Sequence, residues 1–179
     1  PLNSAHAALI LLKWQEILNS KSVFVRSSTN AEDLEGFNGA GLYDTIPNVT
    51  NGDALEIAVK TVWASIWNER AVLERDYAGI NHRDVFASVL IQLAVNATAA
   101  GVLLTTDIWR HEPNTFTINA KWGLGIRVVE GIKIPEQVLY DASNQGTRII
   151  SRSSESTMLV LDPISGIREV AIPKENTIL

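Results

Sequence analysis

Between residues 23 and 49 an arginine, a run of hydroxyls and a glycine loop follow one another: VFVRSSTNAEDLEGFNGAGLYDTIPNV. Val23, Phe24 and Val25 form a short apolar run of high β-propensity. Arg26 sets a permanent cation where that run stops. Ser27, Ser28, Thr29 and Asn30 follow, then the acids Glu32 and Asp33, then Gly36-Phe37-Asn38-Gly39-Ala40-Gly41. Arginine gives bidentate, charge-assisted bonds to phosphate oxygens. Glycines let backbone N–H groups approach an anion closely. The combination suits a polyphosphate, although alone it also fits a strand followed by a solvated turn.

The elements that would position these residues are helices and strands in mixture. Residues 4–18 read as a helix with Ser4 as N-cap and an apolar stripe through Leu9, Leu12 and Ile17. Asp53 is a second candidate cap, ahead of a helical run over residues 54–68 and another over 69–77 that closes at Gly79. Trp63 and Trp67 read as core, and Glu69, Arg70, Glu74 and Arg75 as a solvated face. Residues 85–95, VFASVLIQLAV, read as a buried strand interrupted by Gln92, whose amide would need partners. Ala99-Ala100-Gly101 reads as a turn into a strand over 102–106. A polar loop over 109–115 follows, and further strands are expected over 116–121 and 135–140. Hairpins are expected to turn at residues 144–146 and 162–166.

The 179 residues suggest one domain or two small lobes, and 46% hydrophobic content suffices for a core. A net charge of −5 argues against a general nucleic-acid surface, so any phosphate-binding cations must be local. With no cysteine, disulfides, thiolate catalysis and cysteine-held metals are excluded. No apolar run reaches membrane-spanning length and no signal peptide is legible, which makes a cytoplasmic protein the expectation. Pro1 in place of methionine suggests an excised or processed fragment.

Four blocks, VRSSTNAEDL with GLYDTIPNV, WASIWNERA, the Gln92 strand, and AAGV with WGLG, carry a family resemblance over residues 23–140. The chain resembles the nucleotide-binding domain of the phosphoenolpyruvate synthase and pyruvate phosphate dikinase group, which includes glucan water dikinases and rifampin phosphotransferases. The resemblance implies an α/β (α+β) ATP-grasp-like fold with a mixed or antiparallel sheet and packed helices, incomplete at both ends. It also implies a single nucleotide-binding domain fragment over 1–179, in which 141–179 forms a β-hairpin region.

The implied activity is that of a dikinase-type phosphotransferase, which moves a phosphoryl group from ATP to a histidine on a separate swivelling domain of the same polypeptide. The alternatives are a non-catalytic nucleotide-binding module, a glucan-type dikinase domain, and a structural domain that has lost its ligand. Carried over residue by residue, Arg26 would bind phosphate, Gly41 and Thr45 would line the phosphate loop, and Gln92 with Leu93, Ala94 and Val95 would line the adenine pocket. Lys121 and Arg127 are nearby cations that could approach phosphate or lie at the surface. ATP and Mg2+ are the implied cofactors. No Asp or Glu of this chain maps to the metal position, and the magnesium carboxylates and a phosphate-binding lysine are expected outside it. None of the assigned residues is a base or nucleophile. His6, His82 and His111 are expected to be bystanders, since the acceptor histidine belongs to another domain.

Overall fold

The computed structural model describes residues 2–34, 36–39, 41–107, 109–110, 112–129 and 133–173, with backbone alone at Asp33 and Asn38. Ala40, His111, Glu130 and Gly131, which the sequence motifs include, lie outside the described residues. The chain forms two compact units, residues 1–95 and 96–179. Helices and antiparallel sheets mix throughout, giving the expected α/β, ATP-grasp-like architecture.

The first unit opens with α1 (Ser4–Leu18), then β1 (Val23–Ser27), the two-residue strands β2 (Asp33–Leu34) and β3 (Phe37–Asn38), and β4 (Thr45–Val49). There follow α2 (Gly52–Ala64), a 3₁₀ turn (Ser65–Trp67), α3 (Glu69–Tyr77), a second 3₁₀ turn (His82–Asp84) and β5 (Val89–Leu93). The caps fall one or two residues before the expected ones. Asn3 accepts from the His6 N–H at 2.8 Å and Asn51 from the Ala54 N–H at 2.9 Å, so the helices begin at Ser4 and Gly52. Asparagine caps as well as serine or aspartate, and its side chain reaches the N3 amide. Gly79, at φ +69°, ends α3 as expected, with the Ile80 N–H returning to the Arg75 carbonyl.

Strands β4, β1 and β5 make a three-stranded antiparallel sheet in that order. Strand alternation gives it two unlike faces. Val23, Val25 and Val49 pack inward with Trp14, Leu55, Ala58, Val59 and Val62 of the helices. Each such side chain contributes about 1.5–3 kcal/mol by leaving water. The α1 stripe is corrected here: Trp14, with Ile10, Leu11 and Leu18, faces the core, while Leu9, Leu12 and Ile17 are exposed. The run Leu9-Ile10-Leu11-Leu12 is apolar all round, so its period did not single out a face. A second cluster gathers Ala31, Leu42, Tyr43, Ile66, Ala71 and Val85.

The second unit holds β6 (Ala99–Leu104), β7 (Thr115–Trp122), the one-turn α4 (Ile126–Val129), β8 (Glu136–Asp141), β9 (Gly146–Ser151), β10 (Thr157–Asp162) and β11 (Gly166–Ala171). Strands β6 to β9 form a meander in chain order and β10 pairs with β11. Both hairpin turns fall where expected, with Gln145 at φ +58° and Gly166 at φ +79°. The expected turn at Ala99-Ala100-Gly101 is instead the start of β6. Gly101 serves close strand approach, since a Cβ there would stand 2.7 Å from the Asn119 carbonyl oxygen.

Candidate functional site

The open face of the first unit's sheet is built by register. Arg26 lies opposite Thr45 on β4 and Leu90 on β5, and Phe24 lies opposite Gln92. Opposed residues and i, i+2 neighbours share a face. Phe24, Arg26, Thr45, Leu90 and Gln92 therefore line the face turned away from the helices. Arg26, Thr45, Leu90 and Gln92 are exposed there. The Arg26 Nη1 donates to Gln92 Oε1 at 3.4 Å. Among the described residues Arg26 has no carboxylate at ion-pair distance. The result is a guanidinium with spare donors above a partly apolar floor.

The structure thus brings together Arg26, Thr45 and Gln92 from three strands. Two expectations about this strand are corrected. The strand occupies only Val89–Leu93 of residues 85–95, and Gln92 is exposed rather than buried. As an edge strand covered on one side only, β5 needs no buried amide partner; its glutamine has Arg26. Leu93 ends β5, and the Ala94 N–H donates to the Ser22 carbonyl at 2.8 Å, which prolongs the pairing. Because Ala94 turns to β1, alternation sends the backbone groups of Leu93 and Val95 to the open edge.

Gly41 lies apart from the sheet, in the loop between β3 and β4. Its φ of +76° is a conformation that suits glycine, and open space surrounds it. The hydroxyl loop after β1 is held by its own side chains. Glu32 accepts from the Ser27 hydroxyl at 3.3 Å and the Thr29 N–H at 3.2 Å. Asn30 bridges to the Asp84 carbonyl and the Phe86 N–H, both at 2.8 Å. Glu32 is therefore a loop-forming acid. Among the described residues no three His, Cys, Asp or Glu side chains gather into one cluster.

Several cations behave differently from their sequence reading. Arg75 is 0% exposed, not solvated. Its Nε donates to His82 Nδ1 at 3.2 Å, its Nη1 to the Tyr43 hydroxyl at 3.4 Å, and its Nη2 to the Ile66 carbonyl. Trp67, expected in the core, is 59% exposed and lies 5.9 Å from the Arg75 guanidinium. Lys121 is 2% exposed and pairs with Glu155 at 3.4 Å. Arg127 pairs with Glu155 at 3.4 Å and Glu169 at 2.9 Å. Those two cations are already matched by carboxylates, which turns them from ligand-facing groups into fastenings. His6 sits in the first turn of α1, and His82 is held between Arg75 and Asp76. Phe24 was not singled out by sequence, although its position two residues from Arg26 in a strand puts it on the same face.

The family model described as pyruvate phosphate dikinase, AMP/ATP-binding domain, matches residues 7–178. The chain is 33% identical over 144 residues to the phosphoenolpyruvate synthase of Pyrococcus furiosus, covering 80% of this chain and 18% of that protein. It is 33% identical over 150 residues to a probable phosphoenolpyruvate synthase of Pyrococcus abyssi, covering 84% of this chain and 18% of that protein. With a rifampicin phosphotransferase of a Streptomyces species it shares 39% identity over 112 residues, covering 63% of this chain and 12% of that protein. The chain thus spans less than a fifth of the length of the relatives it matches.

Proposed function

The chain belongs to the pyruvate phosphate dikinase AMP/ATP-binding domain family, and we propose that it is the ATP-binding part of a dikinase-type phosphotransferase. The observation that carries the reading is the gathering of Arg26, Thr45 and Gln92 on one open sheet face, with the arginine unmatched by any described carboxylate. Arg26 would hold phosphate oxygens, and the Gly41 N–H and the Thr45 hydroxyl would line the phosphate loop. Gln92 would meet the adenine, and the edge-facing backbone of Leu93 and Val95 would run along it. Ala94, already bonded to Ser22, would shape the wall.

Catalysis in such a protein is positioning and charge neutralisation more than covalent chemistry. Magnesium, ATP's usual companion, would neutralise phosphate charge when bound; no residue of this chain is assigned to it. The acceptor would be a histidine on a separate domain of the same polypeptide, a reading that the far greater length of the relatives supports. Both compact units would belong to one nucleotide-binding domain, as the span of the family match supports. No described helix is long and apolar enough to cross a membrane, and an ATP-dependent reaction favours the cytoplasm.

Calorimetric titration with ATP tests the reading. The expected affinity of the chain as it stands is no better than roughly 0.1–1 mM, or about 4–5.5 kcal/mol. Incubation with γ- and β-labelled ATP and magnesium is expected to leave no acid-labile label on His6, His82 or His111. Absence of saturable binding at roughly ten times that concentration would overturn the assignment. Retained label would show that the chain carries its own acceptor.

A further inference from the structure

Arg75 is a permanent cation shut off from water, and among the described residues no carboxylate stands at ion-pair distance. Such a group is tolerated when its donors are satisfied. Here the acceptors are a ring nitrogen, a phenol and a carbonyl. To accept from Arg75 Nε, His82 Nδ1 must carry a lone pair. The ring proton then sits on Nε2 and is donated to Asp76 Oδ1 at 2.8 Å. On the other side, the Tyr43 hydroxyl accepts from Arg75 and passes its own proton to the Ala31 carbonyl at 3.2 Å. The bonds run as one series from Asp76 through His82, Arg75 and Tyr43 to Ala31.

The end of that series is informative. Ala31 and Glu32 form the wall against which the glycine loop closes. The Gly39 N–H donates to the Glu32 carbonyl at 2.7 Å, and the Leu42 N–H to the Gly39 carbonyl at 3.1 Å. A Cβ at Gly39 would stand 2.9 Å from the Ala31 carbonyl oxygen. Tyr43 lies in sequence between Gly41 and Thr45, the two residues assigned to the phosphate loop. Its ring is buried in the second core cluster. Its phenol is the one side-chain hydrogen bond among the described residues that joins this loop to its wall.

We propose that Tyr43, held by the buried Arg75, is a positioning residue that clamps the glycine loop against Ala31 and so sets the affinity for the nucleotide's phosphates. The proposal rests on the ATP-binding reading given above. Tyr43 acts through the loop backbone and touches no phosphate.

Two variants test it in the intact chain, Tyr43→Phe and Arg75→Lys. Phenylalanine keeps the buried ring and removes one oxygen. Lysine keeps the charge, but its single ammonium cannot serve three separated acceptors. In Tyr43→Phe the Gly39 and Leu42 amides are expected to exchange with solvent about 3- to 10-fold faster, the size of one net hydrogen bond. The Val59 and Val62 amides of α2 should be unchanged. The ATP dissociation constant should rise by a similar factor, and saturating ATP should restore the loop protection. Arg75→Lys should move the same quantities in the same direction and further. Equal exchange at Gly39 and Leu42 in parent and Tyr43→Phe would overturn the clamp, whatever ATP does. Faster exchange with unchanged affinity would reduce it to a purely structural tie and overturn its role in binding. A parent chain that fails to bind ATP is a separate failure, that of the ATP reading itself, and shows in the parent before any variant is compared.

Discussion

In the first unit the residues shut away from water are chiefly hydrocarbon: Trp14, Val23, Val25, Leu55, Val59 and Val62 between helices and sheet. In the second they include Thr115, Thr117, Lys121 and Glu136, with the side chain of Glu155 5% exposed beside Lys121. Cations follow the same division. Lys121 and Arg127 are matched by Glu155 and Glu169, whereas Arg26 has a neutral glutamine. A phosphate approaching the second unit's cations must displace a carboxylate that is already paired and partly desolvated. One approaching Arg26 displaces water. Basic residues near a glycine corner are therefore a poor guide to ligand contact until their carboxylates are counted, and that count is what supports the proposed site on the first unit's sheet.

The largest expected effect breaks the second unit's arrangement. Glu155→Gln leaves buried Lys121 without its charge partner, which should lower stability by roughly 3–5 kcal/mol. Urea unfolding measures it, and a loss below about 1 kcal/mol would show that this interior is not held by its ion pairs. Next comes Arg26→Ala, expected to weaken ATP binding by about 1.5–3 kcal/mol, the range for a hydrogen bond to a charged group, with little change in melting temperature. Equal calorimetric affinity in parent and variant would remove the contrast between the two sets of cations.

Gln92→Leu sharpens the comparison at smaller amplitude. Since Gln92 is exposed, stability should stay within about 0.5 kcal/mol, while the ratio of ATP to GTP affinity shifts more than the overall affinity. A large loss of stability with unchanged base preference would favour a structural role instead.

The smallest effect concerns acid. Hydrogen bonds from the backbone of Ser165 and Ile164 hold the Asp162 carboxyl below its ordinary value of 3.8. The Thr157 hydroxyl and then Arg127 hold Glu169 below 4.5. Both are lowered in the fold, so their contribution is present above the ordinary values and fades as pH falls through the lowered ones. Amide protection in β10 and β11, taken relative to the intrinsic exchange rate at each pH, should fall below about pH 4, with the sheet β4-β1-β5 unaffected by these two groups. Hairpin protection that does not change with acid would contradict this.

Much of this could be read from residue order. The strand-arginine-hydroxyl-glycine series, the helix after Asn51 and both hairpin turns depend on local chemistry, and local chemistry is legible. Burial was legible only where one face was polar. Arg75 stands in ERAVLER, a pattern that reads as a solvated helix; the signal available was Ala71, small and buried, one turn before it. In β7 the apolar alternates Phe116, Ile118 and Ala120 suggest the inward face. The polar set Thr115, Thr117 and Lys121 is the more buried because charges and hydroxyls there find partners. Gln92 was misjudged because a run of apolar neighbours does not reveal that a strand lies at a sheet's edge. Pairing partners distant in sequence, Arg26 with Gln92 above all, are invisible to any local pattern.

That distance also governs when the first unit can be completed during synthesis. The meander β6 to β9 joins consecutive strands and can close as each one emerges. Strand β1 must wait for β5, and Arg26 and Gln92 are 66 residues apart. Long-range pairing of this kind is slow because loop closure precedes its reward. At about 5–20 residues per second, translation alone keeps the two apart for roughly 3–13 s. Through those seconds β1 leaves the ribosome with the edge that β5 will cover still unpaired.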